Sequence, residues 1–397
     1  MLAMHALTRT EDDHVWGVCP TVEGLYGDPE RGTYELRGWV PDGAGAREGW
    51  LGESVWLVPA DDERGRSPWE HPEHPEPAEY REHDAWLLTD AEAVRVTGDL
   101  VLTGEDDHMG PPESHRGPVR LHDGRRWLGS CEEFTRVQPA PRPRPPLVLR
   151  GLVPGERLRA ALEKGTRRAL ELEQVELELR DRRGEPLTGR LMWGRVAGWR
   201  PSALGSEPTD QTHQTHQTHQ LDQTDQTDQT DLIDQIDLEL DGTFHHPVPA
   251  WARPVWERWL TGPPEEPAAW AGLDTRLRGA WHDLVRERAG HRTFQDRPAG
   301  STYELDGRYV TDEPGLWLAL GEAVNGPGGY FGGNFGALHD CLGGFFGFTA
   351  PGTLVWRDSA VARTHLSRRL SPEGEPYDFF ASILSALAED GMRVVEA

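Results

Sequence analysis

The stretch Tyr330–Phe345, YFGGNFGALHDCLGGF, decides the reading of this chain. Glycines 332 and 333 relax the backbone just before Asn334, a residue type that caps the open N–H groups of a following helix. Leu338 and Leu342, four residues apart, share one helical face and point inward together. Asp340 lies between them in sequence and therefore faces outward. Cys341 reads as a small buried hydrophobe, because no general base is spaced to activate it. His339 is an exposed side chain able to titrate near neutrality. Glycines 328, 329, 332 and 333 lack the Lys–Ser/Thr that follows a phosphate-binding loop, so no nucleotide site is read here.

The flanks supply a fold. Thr302–Leu305 reads as a strand, with a turn at Asp306–Gly307. Pro314–Val324 reads as a helix with its proline in the first turn, where a missing N–H costs nothing. Thr353–Trp356 is a short strand and Ser359–Leu366 a helix. Tyr377–Glu389 is a stronger helix, with Phe380, Ile383, Leu384 and Leu387 at core spacing, ended by Gly391. Met392–Val395 is the last strand. The order β-α-α-β-α-α-β predicts three parallel strands covered by helices. The expected class is α/β: a three-stranded parallel sheet with helices at the C-terminus, preceded by a β-rich α+β region.

In order and spacing, YELDG, YFGGNFGALHDCLGGFF, TLVW and a terminal helix followed by DGMRVV resemble the barstar family, inhibitors of barnase-type ribonucleases. The resemblance covers residues 303–397. It implies that the central helix and the loop before it enter a ribonuclease cleft and make no or break no bond. Tyr330 then matches the loop aromatic, Asn334 the cap, Asp340 the acid that takes the place of the substrate phosphate, and Asp390 a peripheral acid. Several positions depart from the family pattern. Gly336 stands for a second contact aspartate, His339 for a tryptophan, Gly343 for a threonine, Phe345 for a tryptophan and Ala386 for a glutamate. The expected partner-binding set is Tyr330, Asn334, Gly336, His339, Asp340, Gly343, Phe345 and Asp390. These departures point to a related ribonuclease, or another basic protein, rather than to barnase itself.

Charge agrees with such a partner. The 397 residues carry 67 Asp and Glu against 41 Lys and Arg, a formal charge of −26. Residues 301–397 alone hold 13 acids against 6 Lys and Arg. Such a surface repels nucleic acid and anionic membrane and attracts a basic protein. Three widely spaced cysteines argue against a disulfide scaffold or a cysteine-rich zinc site. No apolar run reaches membrane-spanning length, and the first residues lack a signal-peptide pattern. The expected location is the cytoplasm, with no membrane or nucleic-acid partner and no cofactor or metal.

The rest of the chain says less. Residues 1–140 contain short strand-like pieces and read as one β-rich region, with an exposed loop at 60–80. Prolines 139, 141, 143, 145 and 146 mark a stiff break. Residues 147–207 read as a small α+β region, either continuous with the first or separate from it, with a helix at Glu156–Leu170 and alternation at Leu172, Val175, Leu177 and Leu179. Residues 208–231 repeat every three residues, bury almost nothing and read as a disordered linker. Its His213, His216 and His219 read as part of the low-complexity expansion, with weak metal chelation as the alternative. Residues 232–300 read as a tryptophan-rich helical segment, and 301–397 as the barstar-like domain. Two other functions stay open: a non-inhibitory interaction module on the same scaffold, or an enzyme with its site in the N-terminal region. Asp106, Asp107 and His108 are candidate groups for the latter, but no spacing ties them to a metal or nucleophile.

Overall fold

The computed structural model describes residues 5–43, 46–59, 85–106, 110–111, 115–137, 146–205 and 235–397. The loop expected at 60–80, the proline break at 139–145, the linker at 208–231 with its three histidines, and Asp107 and His108 lie outside these residues.

In chain order, three strands come first, β1 (His5–Arg9), β2 (Val15–Cys19) and β3 (Thr21–Glu23). Eight more follow: β4 (Gly32–Arg37), β5 (Val40–Pro41), β6 (Gly49–Pro59), β7 (Trp86–Thr97), β8 (Asp99–Glu105), β9 (Val119–His122), β10 (Trp127–Cys131) and β11 (Glu133–Val137). Then come β12 (Leu147–Pro154), α1 (Glu156–Lys164), β13 (Glu171–Arg180), β14 (Pro186–Pro201), β15 (Ile236–Phe244), α2 (Arg253–Leu260) and α3 (Thr275–Ala289). The C-terminal segment holds β16 (Thr302–Asp306), α4 (Glu313–Asn325), α5 (Phe335–Leu342), β17 (Gly352–Arg357), α6 (Ser359–Leu366), β18 (Arg369–Leu370), β19 (Pro376–Tyr377), α7 (Phe379–Glu389) and β20 (Met392–Glu396).

These elements form two compact units that cut across the linear segments read from the sequence. One combines Met1–Asp28 with Pro143–Gly262; the other combines Pro29–Arg142 with Pro263–Ala397. The first 28 residues therefore belong to a different unit from residues 29–140. The reason is strand pairing: β1 bonds to β13 and β2 to β12, partners far along the chain. The order β15-β14-β13-β1-β2-β12-β3, with a further β15–β12 pairing, closes six antiparallel strands into a ring. Closure leaves no open edge among those six. Leu7, Leu149, Leu152, Val175, Leu177, Leu179, Met192 and Leu238 are fully buried. The helix expected over Glu156–Leu170 stops at Lys164, because Gly165 turns the chain left-handed at φ +58. The tryptophan-rich segment 232–300 is divided as well, with β15 and α2 in the first unit and α3 in the second.

In the second unit an antiparallel sheet of eight strands runs β11-β4-β8-β7-β6-β9-β10-β5. Its core includes Tyr34, Leu36, Val55, Leu57, Leu88, Leu100, Leu102, Val119, Leu121 and Phe134. Asp106, raised above as a candidate enzyme group, accepts the Tyr34 hydroxyl at 3.0 Å and pairs with Arg136 at 3.2 Å. Among the described residues no three His, Cys, Asp or Glu side chains gather as a metal site, and no helix is long and apolar enough to cross a membrane.

The C-terminal segment is the α/β part. Its parallel sheet has the order β16-β17-β20, as its crossovers require, with Leu305 opposite Trp356 and Leu354 opposite Val394. Tyr303, Trp356, Phe331, Phe348 and Phe380 fill its core. One contact ties α3, and another the segment itself, to the eight-stranded sheet. Arg276 on α3 forms a two-pronged bond to Asp90 on β7, 2.8 Å at each oxygen. The β18–β19 hairpin docks on the β9–β10 turn, with Leu370 N–H donating to Gly124 at 2.8 Å. His122 Nε2 lies 3.0 Å from the Pro372 carbonyl at the same junction.

Candidate functional site

The site starts from the rigid helix α4. Asp312 caps it, accepting Gly315 N–H at 2.9 Å, and Pro314 occupies its first turn. The other Asp312 oxygen takes Arg278 Nη1 at 3.0 Å and the Thr275 hydroxyl at 2.8 Å, so a buried ion pair locks α3 to α4. The loop that leaves α4 crosses back over it where both chains are glycine. A Cβ on Gly321 would lie 2.2 Å from the Gly329 carbonyl oxygen, which fixes that position as glycine.

Two side chains hold the loop in register. Asn325 Nδ2 donates to Tyr330 O at 2.8 Å and to Phe346 O at 2.9 Å, joining the chain before α5 to the chain after it. His282 on α3 donates from Nε2 to Gly332 O at 2.9 Å. Burial pushes this imidazole down to about 4, so it is neutral at ordinary pH with its proton on the nitrogen that the carbonyl needs. Gly333 lies against it: a Cβ there would sit 2.6 Å from His282 Cε1.

The helix then begins as its sequence dictates. Asn334 is extended and accepts Ala337 N–H at 2.8 Å. Leu338 and Leu342 are buried, and Cys341 is buried beside them, its thiol pushed up to about 12 by desolvation. The outward face of α5 presents Phe335, Gly336, His339 and Asp340. The Asp340 carboxylate is exposed and makes no hydrogen bond or ion pair with any described residue. Gly336, one turn before it, and Gly343, just after the helix, are also exposed, so the acid stands between two stretches of bare backbone.

The eight residues singled out from the sequence do not all share that surface. Asn334, Gly336, His339, Asp340, Gly343 and Phe345 are exposed. Tyr330 is packed rather than presented: it is 9% accessible, with its ring 6.1 Å from His282 and 6.2 Å from Phe346. Asp390 is engaged within the fold. Its Oδ2 lies 2.9 Å from His339 Nδ1, and this bond and charge raise the imidazole above its usual range. Sequence reasoning missed Phe335, 38% accessible and edge-on to Phe379, and the supports Asn325, His282 and Asp296. Phe335 carried no signal of exposure: it lies three residues before Leu338 and seven before Leu342, on the same helical stripe, so its spacing reads as core. The three supports act across distances that a local pattern does not encode.

Chemically, this surface holds one carboxylate with no ion pair among the described residues, on a short, well-anchored helix with an aromatic ring at either end. Among the described residues no nucleophile–base pair is assembled on it, and its Cys341 is buried. Residues 301–389 match the family described as Barstar (barnase inhibitor). No curated protein matches the chain, and no solved structure matches it.

Proposed function

We propose that residues 301–397 form a barstar-like inhibitor that binds a small basic ribonuclease and occludes its active site with α5. One observation carries the reading: the free, exposed Asp340 carboxylate on a capped helix. A ribonuclease must bind a phosphodiester, so its cleft presents Arg, Lys or His. A fixed carboxylate accepts charge-assisted hydrogen bonds from such groups in place of the phosphate. The acidic surface around it speeds encounter with a basic partner. No bond is made or broken, so the protein acts by occlusion and not as an enzyme. Three buried, unpaired cysteines support a reducing cytoplasmic setting. Residues 1–300 add recognition or position the inhibitory segment.

Gly336 and the His339–Asp390 pair favour a partner other than barnase, because one contact acid is missing and another is tied up internally. The same departures support the second reading, a non-inhibitory interaction module on the same scaffold. The test is titration of the full chain against a panel of small basic microbial ribonucleases, following RNA cleavage. The inhibitor reading expects stoichiometric, RNA-competitive inhibition of at least one enzyme. Binding without inhibition favours the interaction module, and no binding across the panel overturns the proposal.

A further inference from the structure

Phe345 is 84% accessible, more than any other large apolar side chain among the described residues. Its backbone is left-handed, at φ +69, a conformation that costs any residue bearing a Cβ. Gly344 at φ +112 and Gly347 at φ +93 bracket it in the turn that follows the helix bearing Asp340. An apolar ring left to itself has no reason to stand in water on strained backbone. Something must impose the turn.

Asp296 imposes it. Its Oδ2 accepts the Phe345 N–H at 2.8 Å and its Oδ1 accepts the Gly347 N–H at 2.8 Å. Both oxygens are used, and both bonds are charge-assisted. The neighbours of Asp296 brace the same turn. Arg297 N–H donates to Gly347 O at 3.3 Å, and Phe294 stacks on Phe346 with ring centres 5.7 Å apart. Asp296 lies upstream of the matched residues 301–389. The strap 294–297 lies outside the matched segment and shapes its exposed end.

We infer that Asp296 is a positioning residue that presents Phe345 as a preorganised apolar anchor for a pocket beside the partner's cationic cleft. The partner's identity rests on the inhibitor reading above. A preorganised aromatic is the kind of side chain that dominates an interface, because the cost of ordering it has been met before binding. The partner must then offer two features side by side: cations for Asp340 and an apolar recess for the Phe345 ring.

The test uses the full chain with Asp296→Ala, Asp296→Asn, Phe345→Ala and the Asp296→Ala/Phe345→Ala double variant. Amide hydrogen exchange of the free protein reads the turn directly. Asp296→Ala is expected to speed exchange at Phe345 and Gly347 by about tenfold or more, while amides of α4 keep their protection. Should Asp296→Ala fail to fold, Asp296→Asn decides, since it keeps one acceptor and speeds exchange at one of the two amides. Unchanged exchange in these variants overturns the inference. Affinity for the inhibited ribonuclease reads the anchor. Asp296→Ala is expected to weaken binding by about tenfold with Phe345 present and by less than about twofold in the Phe345→Ala background. Equal losses in both backgrounds overturn it. A wild-type chain that binds no ribonuclease sinks the inhibitor reading and the anchor role with it, while exchange still decides whether Asp296 holds the turn.

Discussion

Asp340→Ala should move stability and binding in opposite directions. In the free protein the carboxylate has no partner among the described residues. It also sits in the last turn of α5, beside the negative end of the helix dipole. Removing it relieves an unfavourable term of about 0.3–1 kcal/mol and places a good helix former in its position. The variant should therefore melt at the same temperature as the wild type or slightly above it. In the proposed complex the same carboxylate would replace a phosphate among cations, and truncating it would leave those cations unpaired. Losses of about 2–5 kcal/mol are typical of such a residue, roughly a 30- to 5,000-fold rise in the dissociation constant. The assay pairs calorimetric melting of the free chain with titration calorimetry against the inhibited ribonuclease. Asp390→Ala is the control, because that acid already serves His339 at 2.9 Å. Equal binding losses from the two variants would refute the assigned geometry. So would an Asp340→Ala chain that melts well below the wild type, since that would reveal an internal role for the acid.

Four further outcomes are expected. His282 and His5 are both held down to about 4 by burial, so each contributes stability that is present above pH 6.5 and lost as pH falls towards 4; for His282 the loss reaches roughly 3 kcal/mol near pH 4, and urea unfolding that is flat between pH 7 and 4 would contradict it. Arg278→Ala strands the buried Asp312 carboxylate, which is 3% accessible, and should cost about 3–5 kcal/mol in calorimetry; a loss under about 1 kcal/mol counts against the lock between α3 and α4. At Gly336 a new Cβ meets only Asn334 Oδ1, at 3.4 Å; Gly336→Asp should raise helix stability by about 0.5–1 kcal/mol and tighten binding, and a looser complex argues against a cationic cleft over α5. The His339 pKa is raised by Asp390, so their pairing is complete below pH 6.5 and is lost as pH rises through the raised value; Asp390→Asn should return the imidazole towards 6.5 in an NMR titration, and an unmoved curve would refute the pair.

Much of the C-terminal segment was legible because its signals are local. The Asn334 cap, the buried Leu338–Leu342 face, the proline in the first turn of α4 and the glycine after α7 each depend on residues within one helical turn. The strand–helix order then forces parallel pairing through the handedness of crossovers. The front of the chain was legible only as strands. Alternation at Leu172, Val175, Leu177 and Leu179 marks β13, but it does not name β1 as a neighbour 170 residues away, as in the register of Leu7 with Leu177. Nor does it show that β12 meets β15 to close a ring. Periodicity tells which face of a strand is buried and leaves the choice of partner to long-range packing. The division between units at Asp28 and Pro29 follows from those partners; Gly27, Pro29 and Gly32 mark a turn there, but nothing local sets it apart from the turns between paired strands.

At the site, residue type was readable and state was not. Asp340 and Asp390 are the same side chain, and each sits near the end of a helix. What separates them is a single neighbour: His339 reaches from α5 to the end of α7 and pairs with Asp390, leaving Asp340 with no hydrogen bond or ion pair among the described residues. The two aromatics differ for the same kind of reason. Tyr330 is pinned through its carbonyl by Asn325 and packs near His282, whereas Phe345 is pinned through its amide by Asp296 and projects outward. In both pairs the deciding contact comes from another element, between 5 and 51 residues away. A helix bearing an acid and two aromatics is common. An acid with no internal partner, next to a ring that the fold goes to the expense of exposing, is a surface incomplete by itself. On the proposed function, the groups that would complete it are a cation and an apolar recess in a partner's cleft.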